Sequence, residues 1–258
     1  MKKLIIAFPA VLMLLAFSCG SPSRNVGGIT FKTISMQKKE KNSASLLIWK
    51  GSAEMMKATK NADEEEEAVQ LNKMIAGMLS EGETDIKSAL ESKKSEYIQA
   101  FKASSNEPAD NGNPSIKWEG RITGKVASVT SQFICYEITD YSFSGEEPGN
   151  TVLSYTVFDR QTGQEAPLSF FFAEDKLPEL QNLIRVTFVQ DKEMSSYDEL
   201  RKEYLTSDME MTNNFYADDL GIHFIYNPGE IADVSEGVQN ILVRWDSLKP
   251  LLNPDIIE

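Results

Sequence analysis

Two periodicities of the hydrophobic residues divide the chain into helical and β-rich blocks. Apolar residues recur at three-and-four spacing within 68–78 and 84–103, which predicts two amphipathic helices. Alternating apolar and β-branched residues predict strands at 29–36 and 44–49 before this helical pair, and throughout 116–172 after it. The C-terminal third continues with helices at 177–188 and 197–205 and strands at 215–217, 222–226 and 241–243.

Local signals refine this pattern at three places. Asp63 to Glu67 are best explained as acidic residues of a helix N-terminus, since a calcium loop would need ligands at turn spacing and a glycine. Thr84 is the predicted N-cap of the second helix. The sequence Asp159 to Gly163 predicts a hairpin turn that leads into a strand over Leu168 to Phe172.

The order of these blocks predicts the fold class. Helices and strands come in separate groups joined by short hairpin links, rather than alternating as they do around a parallel sheet. We therefore expect an α+β protein with antiparallel sheets, helices packed on one side, and two closely associated subdomains.

The first twenty residues have the layout of an exported protein. Lys2 and Lys3 precede an apolar run from Leu4 to Phe17, which is 14 residues long. A membrane-spanning helix needs about 20. The stretch 15–19 resembles a bacterial lipobox, in which a cysteine becomes the acylated N-terminus of the mature protein. We expect a lipoprotein signal peptide over 1–19, lipidation at Cys19, and a flexible tether over 20–28.

The cysteine content agrees with export and lipidation. Cys19 and Cys135 are the two cysteines of the chain, so a lipid on the first leaves the second without a disulfide partner. Cys135 lies in a β-rich stretch and is expected to be a small buried apolar group. We expect a lipid-anchored protein of a Gram-negative cell envelope, on the periplasmic face of the outer membrane, because no acidic cluster follows Cys19 directly.

Charge limits the classes of partner. The formal net charge is −13 at pH 7. A body this acidic repels phosphate backbones and anionic headgroups, so we expect no nucleic-acid partner and no electrostatic docking on a membrane. The lipid then accounts for attachment, and a basic protein is the partner that the charge favours.

Catalytic chemistry has little support in the sequence. The single histidine, His223, is expected on a sheet surface, and one histidine does not make a multi-histidine metal site. Glu146-Glu147 and Asp218-Asp219 are paired carboxylates, but a chain with 39 acidic residues contains many such pairs by chance. No nucleophile elbow, phosphate-binding loop or CxxC motif is present. We predict no catalytic residue, no metal and no cofactor.

Four aromatic residues stand near the predicted loops: Tyr141, Phe143, Tyr226 and Trp245. They either flank a groove for a glycan or a protein, or belong to the sheet core, and the core is the more common outcome. Tyr226 and Asn227 precede Pro228, where a turn begins, so these two are expected to be the most exposed.

Several short motifs, in order, resemble a known pair of domains. The C-terminal motifs are Asn214-Phe215-Tyr216, the stretch 221–228, and Glu230-Ile231-Ala232. They resemble the DUF3298 family. Upstream, the stretches 141–145 and 158–164 are similar to the junction with its usual partner, DUF4163. The resemblance implies a DUF4163-like domain over 29–155 and a DUF3298-like domain over 156–254.

Proteins with this pair of domains include the extracellular part of an anti-sigma factor that binds lysozyme, and accessory regions of cell-wall polysaccharide deacetylases. The resemblance therefore implies a binding role outside the cytoplasm. Its expected binding residues are Tyr141, Gly145, Glu146, Glu147, Tyr226, Asn227 and Glu230. The chain departs from the family where Glu146, Glu147 and Pro148 follow Gly145.

The sequence thus favours a non-enzymatic envelope lipoprotein that binds a lysozyme-like protein or a cell-wall glycan such as peptidoglycan. Two alternatives remain. The first is an envelope glycan hydrolase that uses carboxylates, and the second is a structural lipoprotein.

Overall fold

The computed structural model of the protein describes residues 22–41, 45–57, 62–104, 116–145 and 149–256. Its larger sheet has seven strands that are neighbours in sequence order. The strands are β1 (Ser23–Val26), β2 (Ile29–Lys41), β3 (Ser45–Met56), β4 (Ile116–Val129), β5 (Phe133–Phe143), β6 (Asn150–Asp159) and β7 (Gln164–Glu165). Adjacent strands are antiparallel except β3 and β4, which run parallel. A parallel pair needs a crossover connection, and the chain forms its helical pair between these two strands.

Two helices cover one face of the larger sheet. They are α1 (Ala62–Leu79) and α2 (Ile86–Ala103). Leu71, Ile75 and Leu90 are fully buried against the sheet in one core that also contains Trp49 and Tyr136. This confirms the predicted helical pair, although the N-cap of α2 is wrong by one residue. Asp85, rather than Thr84, accepts the hydrogen bond from the backbone N–H of Ser88.

The C-terminal part of the chain packs against the opposite face. Its three-stranded sheet has the order β10-β9-β8. These strands are β8 (Phe215–Ala217), β9 (Gly221–Tyr226) and β10 (Gln239–Arg244). A second core joins Phe133, Cys135 and Val157 of the larger sheet to Phe224 of the smaller one. The helices around this core are α3 (Leu168–Phe171), α4 (Leu177–Asp191), α5 (Tyr197–Glu203) and α6 (Trp245–Leu248).

One predicted strand is wrong. Leu168 to Phe171 form helix α3, and the chain is extended again at Phe172, which bridges to Leu252. Leu168 and Phe171 both enter the core, at the three-residue spacing of a helix. Pro167 precedes this turn in an extended conformation. An apolar run this short is compatible with a strand or a helix, because its periodicity does not distinguish the two.

The predicted tether over 20–28 is also wrong where the structure describes it. Ser23–Val26 form strand β1, which pairs with β2 through a turn at Gly27 and Gly28. Both glycines have positive φ, +55° and +84°, which a residue with a Cβ adopts at a cost. Arg24 fixes the strand, because its guanidinium donates to both carboxylate oxygens of Glu54, at 2.9 and 2.7 Å.

The predicted α+β class, with antiparallel sheets and two subdomains, is confirmed. Among the helices of the described residues, none is long and apolar enough to span a membrane. The expected signal peptide and Cys19 lie outside the described residues.

Candidate functional site

A groove of about 620 Å³ lies beside the helical pair, where the helices leave the C-terminal half of β5 and the N-terminal part of β6 uncovered. Every second residue of these strands lines it, because successive side chains of a strand point to opposite faces. The lining residues are Met78, Leu79, Lys93, Tyr97, Ile122, Ile138, Asp140, Ser142, Asn150, Val152, Ser154 and Thr156. Hydroxyl and amide groups from β5 and β6 thus lie next to apolar side chains on one open wall.

Asp140 is the carboxylate of this groove. It is partly buried, and within the described part of the chain it makes no hydrogen bond. Burial raises the pKa of Asp140, the ammonium of Lys93 lowers it, and Glu96 adds to the rise; the result lies above the ordinary value. Two carboxylates facing each other, as in a glycosidase, are not found among these lining residues. The groove instead offers one acceptor that lacks a donor.

Tyr97 forms a rigid part of the groove wall. Its hydroxyl donates to the backbone oxygen of Glu119 at 2.8 Å and accepts from the backbone N–H of Phe143 at 3.3 Å. Gly120 makes room for the ring, since a Cβ there would lie 2.8 Å from it. The Tyr97 ring is therefore held in place while Asp140 remains available.

Of the upstream residues predicted to bind, the structure describes Tyr141 and Gly145. Gly145 follows β5 with φ +91°. Tyr141 points away from the groove, and the guanidinium of Arg121 lies over its ring at 5.6 Å. Glu146 and Glu147 lie outside the described residues.

The downstream predicted residues have structural contacts. Tyr226 is only 3% exposed, so its predicted exposure is wrong; its ring lies in the second core, and its hydroxyl donates to the backbone oxygen of Glu210. Glu230 accepts from the backbone N–H of Asn227 at 2.7 Å, which closes the turn at Pro228.

Two asparagines join the C-terminal part to the outer edge of β6. The amide of Asn214 accepts from the backbone N–H of Tyr155 and donates to the oxygen of Leu153. The amide of Asn227 accepts from the N–H of Leu153 and donates to the same oxygen. These side chains hydrogen-bond to β6 as a neighbouring strand would. Tyr141 lies close to this contact, because it pairs with Thr151, which is two residues before Leu153 on β6.

His223 is 8% exposed, so the predicted sheet-surface position is wrong. Its ring stacks on Tyr216 with 4.3 Å between centroids, and its Nε2 lies 3.1 Å from the carboxylate of Asp218. Tyr216 stacks in turn on Tyr155 of β6 at 4.8 Å. Three rings therefore connect the two sheets, and Trp245 donates from its indole to the backbone oxygen of Asp218.

Cys135 is fully buried, as predicted. Burial raises the pKa of its thiol to about 11, which keeps it protonated and unreactive at neutral pH. Among the described residues, no group of three or more histidine, cysteine, aspartate or glutamate side chains is arranged to hold a metal ion.

Asp140 and Lys93 line the groove but were not predicted as site residues. A signal for Asp140 was present, because Ile134, Tyr136 and Ile138 alternate along β5 and place Asp140 next on the same face. Nothing in the local sequence shows that the helices leave parts of β5 and β6 uncovered. The sequence therefore contains no pattern that predicts the open groove.

Comparison with known proteins supports part of the predicted resemblance. Residues 170–246 match the model of DUF3298, described as a protein of unknown function. A crystal structure of a DUF3298 family member from Bacteroides fragilis is similar, with a TM-score of 0.73, 18% identity, and coverage of 91% of this chain and 97% of that chain. A DUF3298 family protein from Pseudomonas aeruginosa PAO1 is similar at a TM-score of 0.62 and 14% identity, covering 88% and 96%.

The comparison with curated proteins gives no match. The two solved proteins share the fold of this chain across most of its length, and the family model adds a match in sequence over its C-terminal part. Residues 170–246 therefore match the DUF3298 family in sequence, within a fold that the chain shares with solved proteins of that family.

Proposed function

We propose that this protein is a lipid-anchored envelope module that binds a cell-wall glycan in the groove beside α2. The observation that carries the proposal is Asp140, a half-buried carboxylate without a hydrogen-bond donor among the described residues, on the wall of an open groove of about 620 Å³. The Asp140 carboxylate still reaches water in the free protein, and a ligand that donates to it replaces that water with a charge-assisted hydrogen bond.

The rest of the groove suits a polyhydroxylated chain. Asn150, Ser154 and Thr156 present groups that both donate and accept hydrogen bonds, as sugar hydroxyls do. The apolar side chains of Ile138 and Val152 offer contact for the carbon-bound faces of a sugar ring. The lipid anchor proposed at Cys19 would put such a module where glycan is available, on the periplasmic face of the outer membrane.

The test is retention on insoluble peptidoglycan. In a pelleting assay with the full chain, Asp140→Asn is expected to bind at least about ten-fold more weakly, because the neutral amide oxygen accepts a weaker hydrogen bond than the carboxylate does. Asp175→Asn is the matched control, since Asp175 is exposed and lies outside the groove. Equal retention of Asp140→Asn and wild type would rule out this groove as the site. Release of soluble sugar fragments would instead favour the hydrolase.

A basic protein such as lysozyme is a second candidate ligand, favoured by the net charge of −13. Asp63, Glu64 and Glu67 line another concavity of about 500 Å³ at the start of α1. Charge-driven binding there is expected to weaken strongly between about 50 and 500 mM salt. Asp63→Asn with Glu64→Gln is the variant to compare in a lysozyme pull-down, and unchanged retention would argue against this surface.

A further inference from the structure

The uncovered half of the larger sheet carries a cluster of exposed cations. Strand register sets their direction: Lys50 pairs with Gln37 on β2 and with Arg121 on β4, so these side chains share the face opposite the helices. By the same register the following exposed side chains also lie on this face: Lys39, Lys41, Lys117 and Lys125. We call these six residues the basic face.

Few carboxylates balance the basic face. Glu119 pairs with Lys117 and Arg121, and Glu137 pairs with Lys125. Within the part of the chain that the structure describes, Lys39, Lys41 and Lys50 form no ion pair. In a chain with a net charge of −13 this is a marked separation of charge. The net charge alone predicted no electrostatic docking on a membrane, because a sum over the whole chain does not show where the cations lie.

The basic face is concave at its centre. A depression of about 440 Å³ there is lined by Lys50, Arg121 and four hydrogen-bonding side chains: Ser35, Gln37, Ser52 and Thr123. Two cations among hydroxyl and amide donors are suited to a phosphate group, which accepts several hydrogen bonds at once.

The chain enters the fold beside this depression. The oxygen of Pro22 accepts from the backbone N–H of Thr33 at 2.9 Å, and Thr33 is two residues from Ser35 on the same face. Residues 20–22 separate Cys19 from strand β1. Three residues span at most about 10 Å, which is close to the Debye length of about 8–10 Å at physiological ionic strength. A lipid on Cys19 would therefore hold the end of the depression at Ser35 close to the headgroups.

We propose that the basic face docks on an anionic phospholipid surface and orients the anchored protein, with the groove of Asp140 turned away from the membrane. The occupant is a bilayer, because the cations spread over three strands of one face and the anchor enters next to them. The orientation rests on the proposed lipid anchoring, whereas the preference for anionic lipid does not.

The test measures flotation of the full chain with two kinds of vesicle. The anionic vesicles contain phosphatidylglycerol mixed with phosphatidylcholine, and the neutral vesicles contain phosphatidylcholine alone. Wild type is expected to partition more strongly onto the anionic vesicles. Lys50→Glu with Arg121→Glu is expected to reduce that partitioning at least roughly 30-fold, since each cation contributes about five-fold. All variants are expected to behave alike on neutral vesicles, where only the apolar N-terminus acts.

Lys73→Glu with Lys87→Glu is the matched control, because it makes the same change in charge on the exposed surface of the helical pair. Lys39→Glu with Lys41→Glu is a second test at residues without ion pairs. The proposal fails if wild type partitions equally onto the two kinds of vesicle. It also fails if the control variant loses as much partitioning onto anionic vesicles as the variant of the basic face. Asp140→Asn is expected to float like wild type, which separates this outcome from the test of glycan binding.

Discussion

At the scale of single residues, the structure separates polar side chains that complete the fold from those left available. Asn214, Asn227 and Glu230 satisfy backbone groups. Asn227 and Glu230 were predicted to bind a ligand, because a short polar motif looks the same whether its partner is a ligand or the chain itself. Asp140 has the opposite character: it belongs to no motif, but it lacks a donor in the described part of the chain.

The hydrogen bonds between Asn227 and the edge of β6 can be tested by measuring the free energy of unfolding. Asn227→Ala leaves the backbone N–H of Leu153 without its partner, so we expect the free energy of unfolding to fall by about 2 kcal/mol. Urea denaturation measures this. Asn182→Ala, at an exposed position of α4, serves as the control and is expected to stay within about 0.5 kcal/mol of wild type. A similar loss in both variants would show that the bridge to β6 has no special effect.

At the scale of elements, periodicity predicted most helices and strands but not how they pair. The helix over Leu177–Asp191 and the strands over Phe215–Ala217 and Gly221–Tyr226 lie where the pattern placed them. The parallel pairing of β3 with β4 was missed, since pairing depends on contacts distant in sequence. Strand β1 was missed because a four-residue strand next to two glycines looks like linker, and its main fixed contact is Glu54, 30 residues away.

That contact makes the docking of β1 depend on pH. Burial raises the pKa of Glu54, but the hydrogen bonds from Arg24 and the Val126 N–H, with the nearby charges, outweigh it and leave the pKa below its ordinary value of 4.5. A lowered folded-state pKa stabilises the fold above about pH 4.5, and this stabilisation is lost as the pH falls through the lower, folded value.

Arg24→Ala is therefore expected to destabilise the protein by about 1–2 kcal/mol at pH 7. The loss is smaller than for a fully buried pair because the Arg24 side chain is 46% exposed. The difference from wild type should shrink on acidification toward pH 3. Urea denaturation at both pH values, with amide exchange at residues 23–26, checks this. Lys32→Ala on the neighbouring strand is the control, and a pH-independent loss would contradict the role of Glu54.

At the scale of the whole molecule, composition predicted the sign of the charge but not its distribution. Cations at 117, 121 and 125 stand an even number of residues apart, a spacing that places them on one face of a strand. Summing charge over the chain removes this signal. The open groove has a similar origin, because it depends on two helices covering only part of a seven-stranded sheet.

Enclosure of Cys135 has a practical consequence for all of these measurements. With the thiol inside the fold and its pKa near 11, a maleimide dye at neutral pH will leave it unmodified in the native state. If Cys19 is acylated as proposed, a cysteine introduced on the surface is the one position expected to label. A fluorophore placed on the basic face or at the groove rim can then report its distance from a bilayer without any substitution in the core.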